Sequence, residues 1–278
     1  MVVSVDLPPE LEREIFITVA RQYRWFAPTI ILLCRKTQTW IEPILYESVV
    51  LSSAKRLSRF RACLDQRPPE FFAKHVKRLC LPRIVPAIEA SYIISRCSGV
   101  IDLACWFVGY RHAYLSSRII TLPLRHLSVD FDTYLGIACQ VYTDYDTDPE
   151  YVGTNVNITH LTLLNFIPTR EHPTIPHLHC FSALTHLRLA FHPKHKYFAA
   201  ITAVLKGNTN LSRVVLMHAG IPPVDLEPFV QESGVDGSKC QVVSQDLAAL
   251  DLTQEWEDSW DAVINAESNS ANDLILNL

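Results

Sequence analysis

Apolar and polar residues recur along this chain in three rhythms, and each predicts a different element. Near the start, Leu11, Ile15 and Val19 repeat every fourth residue with Phe16 beside them, while Glu10, Arg13 and Glu14 take the opposite side. That spacing predicts an amphipathic helix. Pro8 and Pro9 suit its first turn, where a missing N–H costs nothing, and Asp6 offers a capping carboxylate. A second helix is expected from Pro28, carrying Ile30 to Cys34. A third short one holds Trp40, Ile41, Ile44 and Leu45 and ends before Val49-Val50-Leu51.

The second rhythm begins after a basic helical stretch, "SAKRLSRFRACLDQ", and places apolar residues at positions 0, +3 and +5. It runs Val76/Leu79/Leu81, Val100/Leu103/Cys105, Leu124/Leu127/Val129, Ile158/Leu161/Leu163, Leu184/Leu187/Leu189 and Leu211/Val214/Leu216. Successive anchors are 24, 24, 34, 26 and 27 residues apart, which is leucine-rich-repeat length with one insertion. Helix-like stretches such as "PAIEASYIISRC" and "KYFAAITAVLKG" fill the intervals, so each reads as strand, loop, helix. The Asn usual three residues after the last apolar position is missing: Ile84, Val108, Asp132, Phe166, His192 and Ala219 stand there instead. An irregular solenoid without an Asn ladder is expected.

The third rhythm is in the tail, where Trp256, Trp260 and Val263 share one side of "TQEWEDSWDAVINAE" among Glu255, Glu257, Asp258 and Asp261. A solenoid end needs such a cover over its last apolar face. The expected fold class is therefore α/β, with a short N-terminal helical module over 1–51, a connecting helix over 52–75, a leucine-rich-repeat-like solenoid over 76–245 and an acidic C-terminal helical cap over 246–278.

Composition narrows the function classes. The 278 residues are 49% hydrophobic and 19% charged, the profile of a chain with a sizeable core. All 25 Lys and Arg lie at or before Lys239, with 21 acids in the same span, whereas eight acids follow Gln241 without any base. A body at +4 is too weakly basic for a nucleic-acid footprint. The longest apolar run, near "TIILLC", is too short to cross a bilayer, and the first residues lack a secretory pattern. Eight scattered Cys without a C-x-x-C pair read as reduced thiols, which places the chain in the cytoplasm or nucleus.

The opening "LPPELEREIF" and the following "LLCRKTQTWIEPILYESVVL" resemble the F-box-like domain found at the start of many fungal proteins, from Leu7 to Leu51. The order Leu-Pro, Ile-Phe, Leu-Cys-Arg, Trp and Leu-Tyr is matched in full, although "RQYRWFAPT" is longer and more aromatic than the corresponding segment of the best-known F-boxes. The resemblance implies that Leu7, Pro8, Leu11, Ile15, Phe16, Leu33, Cys34, Trp40, Leu45 and Tyr46 dock the Skp-type adaptor of an SCF (Skp, cullin, F-box) ubiquitin ligase. It also implies a substrate receptor that supplies proximity only. The alternative is a scaffold whose F-box-like end merely caps the solenoid.

Strand alternation puts the +2 positions, Arg78, Asp102, His126, His160, His186 and Arg213, on the concave face opposite the core. The three His would stack about 4.8 Å apart and influence one another's protonation. This row is the expected protein-partner face, sensitive to mild acid. Metal signals are weak: "HPTIPHLHC", with His172, His177, His179 and Cys180, is a Pro-rich loop, and Asp144, Asp146 and Asp148 lack the Gly and closing Glu of a calcium loop. No phosphate-cradling loop, G-x-S-x-G or H-E-x-x-H occurs. No cofactor, metal, nucleic acid, membrane or catalytic residue is expected.

Overall fold

A computed structural model of the chain describes residues 7–106, 113–138, 157–166, 175, 178–191, 210–218, 241–246, 253, 254 and 256. Three helices open it: α1 (Pro9–Gln22), α2 (Ala27–Ile30) and α3 (Arg35–Glu47). Pro9 stands in the first turn of α1, with Glu10 and Glu12 favourably placed at the positive end of the helix dipole. Asp6 lies outside the described residues, and Pro8 holds the N-cap position without a side-chain cap. α2 stops at Ile30, shorter than expected, because the chain turns through Leu33 to let Cys34 cap α3. There the Cys34 N–H donates to Thr37 Oγ1 at 3.2 Å and the Thr37 hydroxyl donates to the Cys34 carbonyl at 2.8 Å. Ala20, Ala27, Ile30, Ile41 and Ile44 form a small core among these helices, with Phe16, Ile17, Trp40 and Leu45 at its margin.

The basic stretch is one helix, α4 (Ala54–Gln66), and the connecting span 52–75 holds a second, α5 (Pro69–His75). Pro68-Pro69 cannot continue a helix but can begin one. Ser53 caps α4 by accepting the Arg56 N–H at 3.2 Å.

Eight described strands follow one another across a single sheet: β1 (Ser48–Val50), β2 (Arg78–Leu81), β3 (Asp102–Cys105), β4 (His126–Asp130), β5 (His160–Phe166), β6 (His186–Phe191), β7 (Arg213–His218) and β8 (Gln241–Asp246). Every neighbouring pair is parallel. Helices α6 (Ala87–Arg96) and α7 (Ala113–Ile119), a helical stretch at 131–138 and a 3-10 turn at Leu178–Cys180 supply described parts of the connections. The register aligns Leu79, Leu103, Leu127, Leu161, Leu187 and Val214 as successive partners. They point with Leu81, Cys105, Val129, Leu163 and Leu189 into a continuous core against Leu64, Phe72, Ile93, Leu115, Tyr134 and Phe181. The other sheet face carries a smaller apolar cluster, Cys80, Ala104, Trp106, Leu164, Ala190, Val215 and Met217.

The expected fold class, a helical F-box-like module followed by a leucine-rich-repeat-like solenoid and a C-terminal helical cap, is corrected by this sheet. The molecule is an α/β fold built on one all-parallel sheet with helices packed against it. The sheet starts within residues 1–51: α3 runs directly into β1, and Ser48 pairs with Arg78. Tyr46 of α3 packs edge-on to Phe71 and Phe72 of α5 with centroids 5.4 Å apart in both cases, and Phe60 of α4 stacks edge-on to Phe72 at 5.7 Å. These aromatic contacts join the opening helices to the sheet as a common core. In the expected closing helix, residues 253, 254 and 256 are helical, and Trp256 reaches back across the sheet to β2. Trp260 and Val263 lie outside the described residues.

Candidate functional site

The +2 positions form one unbroken row across the sheet. Register pairs Arg78 with Asp102, Asp102 with His126, His126 with His160, His160 with His186 and His186 with Arg213. Ser48 and Gln241 extend the row by one strand at either end. The parallel ladder is what brings together side chains from six separate segments, since aligned positions in adjacent strands share a face.

The two ends of the row differ. Arg78 and Asp102 are 3% and 5% exposed, so the expected accessible face does not extend to them. Arg78 Nε donates to Asp102 Oδ2 at 3.0 Å, and the other carboxylate oxygen faces His126 Nδ1 at 3.0 Å. The Arg78 guanidinium also lies 4.7 Å from the Trp256 ring centroid and donates to the Trp256 carbonyl at 3.2 Å. Burial pulls the Arg78 pKa down, and the Asp102 charge opposes it. His126, His160 and His186 are half-buried, and Arg213 is exposed.

The histidine rings are in contact. His126 meets His160 edge-on with centroids 4.3 Å apart, and His160 stacks on His186 at 4.1 Å with planes 10° from parallel. Two threonines hold the rings in place. Thr159 Oγ1 lies 2.9 Å from His160 Nδ1 and 3.2 Å from the Arg125 carbonyl oxygen. Thr185 Oγ1 lies 2.8 Å from His186 Nδ1 and 3.1 Å from the Thr159 carbonyl oxygen. Each hydroxyl therefore holds its ring by Nδ1, and the tautomer decides which of the two donates. Burial, followed by the His126 and His186 charges, pushes His160 down to about 4. Burial and then Arg213 lower His186.

Chemically, the row is a strip of touching imidazole rings between a buried ion pair and an exposed guanidinium. The Asp102–His126 pair orients a ring as a carboxylate does for a catalytic base. The next group along, however, is His160 rather than a hydroxyl or thiol nucleophile. Ser128, nearer the centre of the face, is buried and accepts from Trp106 Nε1 at 2.9 Å. Among the described residues, no group of three or more His, Cys, Asp and Glu is arranged to hold a metal. His172, His177, Asp144, Asp146 and Asp148 lie outside the described residues, as does the side chain of His179. Cys180 is half-buried, and burial raises its thiol pKa.

The adaptor-binding residues divide by orientation. Leu7, Pro8, Leu11, Ile15, Leu33 and Cys34 are exposed. Phe16, Trp40 and Leu45 turn toward the small helical core, and Phe16 lies 6.5 Å from Trp40 between ring centroids. Tyr46 belongs to the aromatic junction, where burial and then Cys63 push its phenol up to about 12. These four anchor the surface that the other six present.

No family model and no curated protein matches the chain. The site therefore rests on its own geometry. Sequence reasoning missed Thr159, Thr185 and Trp256 as parts of it. The repeated Thr-His of "ITHLTL" and "LTHLRL" was the readable signal for the two threonines. Among the described residues, no helix is long and apolar enough to cross a membrane.

Proposed function

We propose that this protein is a non-catalytic substrate receptor of an SCF-type ubiquitin ligase, working in the cytoplasm or nucleus. Its opening helices dock a Skp-type adaptor, and the open end of the histidine row contributes to holding a protein for ubiquitin transfer. The observation that supports this best is the outer side of α1. Leu7, Leu11 and Ile15 follow one another at one-turn intervals and stand in solvent, with Leu11 54% exposed, although α1 has a buried apolar side as well. Leu33, 63% exposed, and Cys34 stand beside α1, close enough for the Glu12 charge to act on the Cys34 thiol. Apolar side chains left in solvent along one side of a helix are what a protein partner covers.

A second reading is a scaffold whose opening helices only cover the β1 end of the sheet. The inward set Phe16, Trp40, Leu45 and Tyr46 supports it. Co-purification with a Skp-type adaptor separates the two. Wild type should retain adaptor through gel filtration, and Leu11→Glu with Ile15→Glu should lose it while keeping the wild-type melting temperature. Failure of the folded wild type to bind rejects the receptor reading.

A further inference from the structure

We propose that the Arg78 end of the sheet face bearing the histidine row is a docking site for a tryptophan-carrying peptide segment, held in this structure by the chain's own Trp256, and that a protein partner enters by displacing it with a tryptophan of its own. Strand alternation places Arg78, Cys80, Asp102, Ala104 and the histidines on one face. Cys80, Ala104, Leu164, Ala190, Val215 and Met217 on that face are buried, although they stand apart from the main core. Among the described residues, Val50 and Trp256 are the partly buried apolar side chains packed against them, and of these Trp256 alone comes from outside the sheet.

Trp256 is seated there as a ligand would be. Its ring centroid lies 4.7 Å from the Arg78 guanidinium, which Asp102 holds through the Nε donor at 3.0 Å, and its carbonyl accepts from Arg78 at 3.2 Å. A cation–π contact, a main-chain hydrogen bond and apolar burial are the means by which a protein surface takes an aromatic anchor. The site belongs to β2 and β3, whereas Trp256 follows β8, at the far end of the strand order.

An occupant joined to the chain acts at high effective concentration, so a free segment of the same chemistry is held off until that occupant leaves. The adjoining part of the face, from His126 to Arg213, is half-buried to exposed, and a partner that reaches along the row meets Trp256 next. The displacing segment belongs to a substrate only if the receptor reading holds, whereas the exchange itself requires no adaptor.

Fluorescence anisotropy on the purified full chain tests this with a labelled peptide of residues 251–267. The Trp256→Ala chain should bind the peptide about tenfold or more tightly than wild type, because its own occupant is gone. A peptide with Trp256→Ala and Trp260→Ala should bind neither chain. Cys80 gives a second reading, since its thiol is buried in the same cluster and close enough to act on the Arg78 charge. Iodoacetamide should reach Cys80 faster in the Trp256→Ala chain than in wild type, the peptide should restore its protection, and Cys97 in the main core should stay unlabelled. Should Cys97 react as well, that variant has unfolded, and Trp256→Phe takes its place: the smaller ring is the weaker occupant, so this chain must also bind the peptide more tightly than wild type. The proposal is overturned if the folded variant and wild type bind the peptide alike or not at all, if the peptide without tryptophan binds as well, or if Cys80 is labelled no faster in the variant. Peptide exchange without adaptor capture removes the receptor reading and leaves this site standing; adaptor capture without exchange does the reverse.

Discussion

The Arg78 guanidinium lies over the Trp256 ring, 4.7 Å from its centroid, and so ties strand β2 to a residue 178 positions later in the chain. Trp256 also packs at the margin of the cluster formed by Cys80, Ala104, Trp106, Leu164, Ala190, Val215 and Met217. Trp256→Ala removes the cation–π contact and uncovers part of that cluster. The expected loss is about 1–3 kcal/mol, below that of a fully buried Trp because this one is half-exposed. In urea unfolding it should appear as a lower midpoint at similar slope, with Trp256→Phe keeping most of the stability. An unchanged midpoint would mean that the contact contributes nothing.

Acid should loosen the fold through His160. Folded, its ring titrates near 4, whereas an unfolded His titrates near 6.5. Between those values the unfolded chain binds more protons, so stability rises with pH and falls on acidification from about 6.5 toward 4. His186 is shifted in the same direction and adds to the slope. The groups acting on this pair include His126, Asp102 and Arg213; Asp102 favours the charged His160, and the others disfavour charge. Melting temperatures measured from pH 7 to pH 4.5 should fall more for wild type than for His160→Gln. Parallel curves would refute the assignment.

How much of this was legible depended on whether the responsible contacts were periodic. Leu79, Leu103, Leu127, Leu161, Leu187 and Val214 stand at +3 from their anchors, and the same periodicity aligned Arg78, Asp102, His126, His160, His186 and Arg213 at +2. The class inferred from that spacing was still wrong, because spacing is silent on what lies outside it. β1 has only three residues and continues straight from α3, so its triplet Tyr46/Val49/Leu51, at the same 0, +3, +5 spacing, was taken for the end of the helical module. β8 carries Val242 and Val243 but puts Ser244 opposite Leu216, where the pattern asks for an apolar residue. Trp256 looked like one face of an end cap because local periodicity cannot show a partner as distant as Arg78. The exposed and inward halves of the adaptor set were inseparable for a similar reason: α1 is apolar on two sides, and only packing shows which is covered.

Cys34 should be more reactive than the buried thiols. Hydrogen bonds from Thr37, first its backbone and then its hydroxyl, lower its pKa, and the side chain is exposed. Burial instead pushes Cys97 up to about 12 and raises Cys105 well above the ordinary thiol range. Thiolate is the reacting species, so brief iodoacetamide treatment near neutral pH should label Cys34 well before either, and Thr37→Val should slow that labelling. On the receptor reading, the added group should also block adaptor capture. Equal labelling of Cys34 and Cys97 would show that the Thr37 cap does not act on the thiol.

Two glycines are needed for close approach, and they should respond differently to alanine. A Cβ on Gly99 would lie 1.9 Å from the Ala73 carbonyl oxygen, which belongs to the backbone of α5, so either the turn after α6 or α5 itself must move. A Cβ on Gly136 would lie 2.5 Å from Ser116 Oγ but 3.4 Å from its Cβ, so the obstacle is one side-chain atom. Gly99→Ala should cost about 1–3 kcal/mol with no single partner able to relieve it. Gly136→Ala should also destabilise, but Ser116→Ala in the same chain should recover much of the loss, because it removes the obstructing oxygen. A double-mutant cycle measured by thermal unfolding reads this directly. A coupling energy near zero between positions 116 and 136 would place the two segments further apart than the fold described here requires.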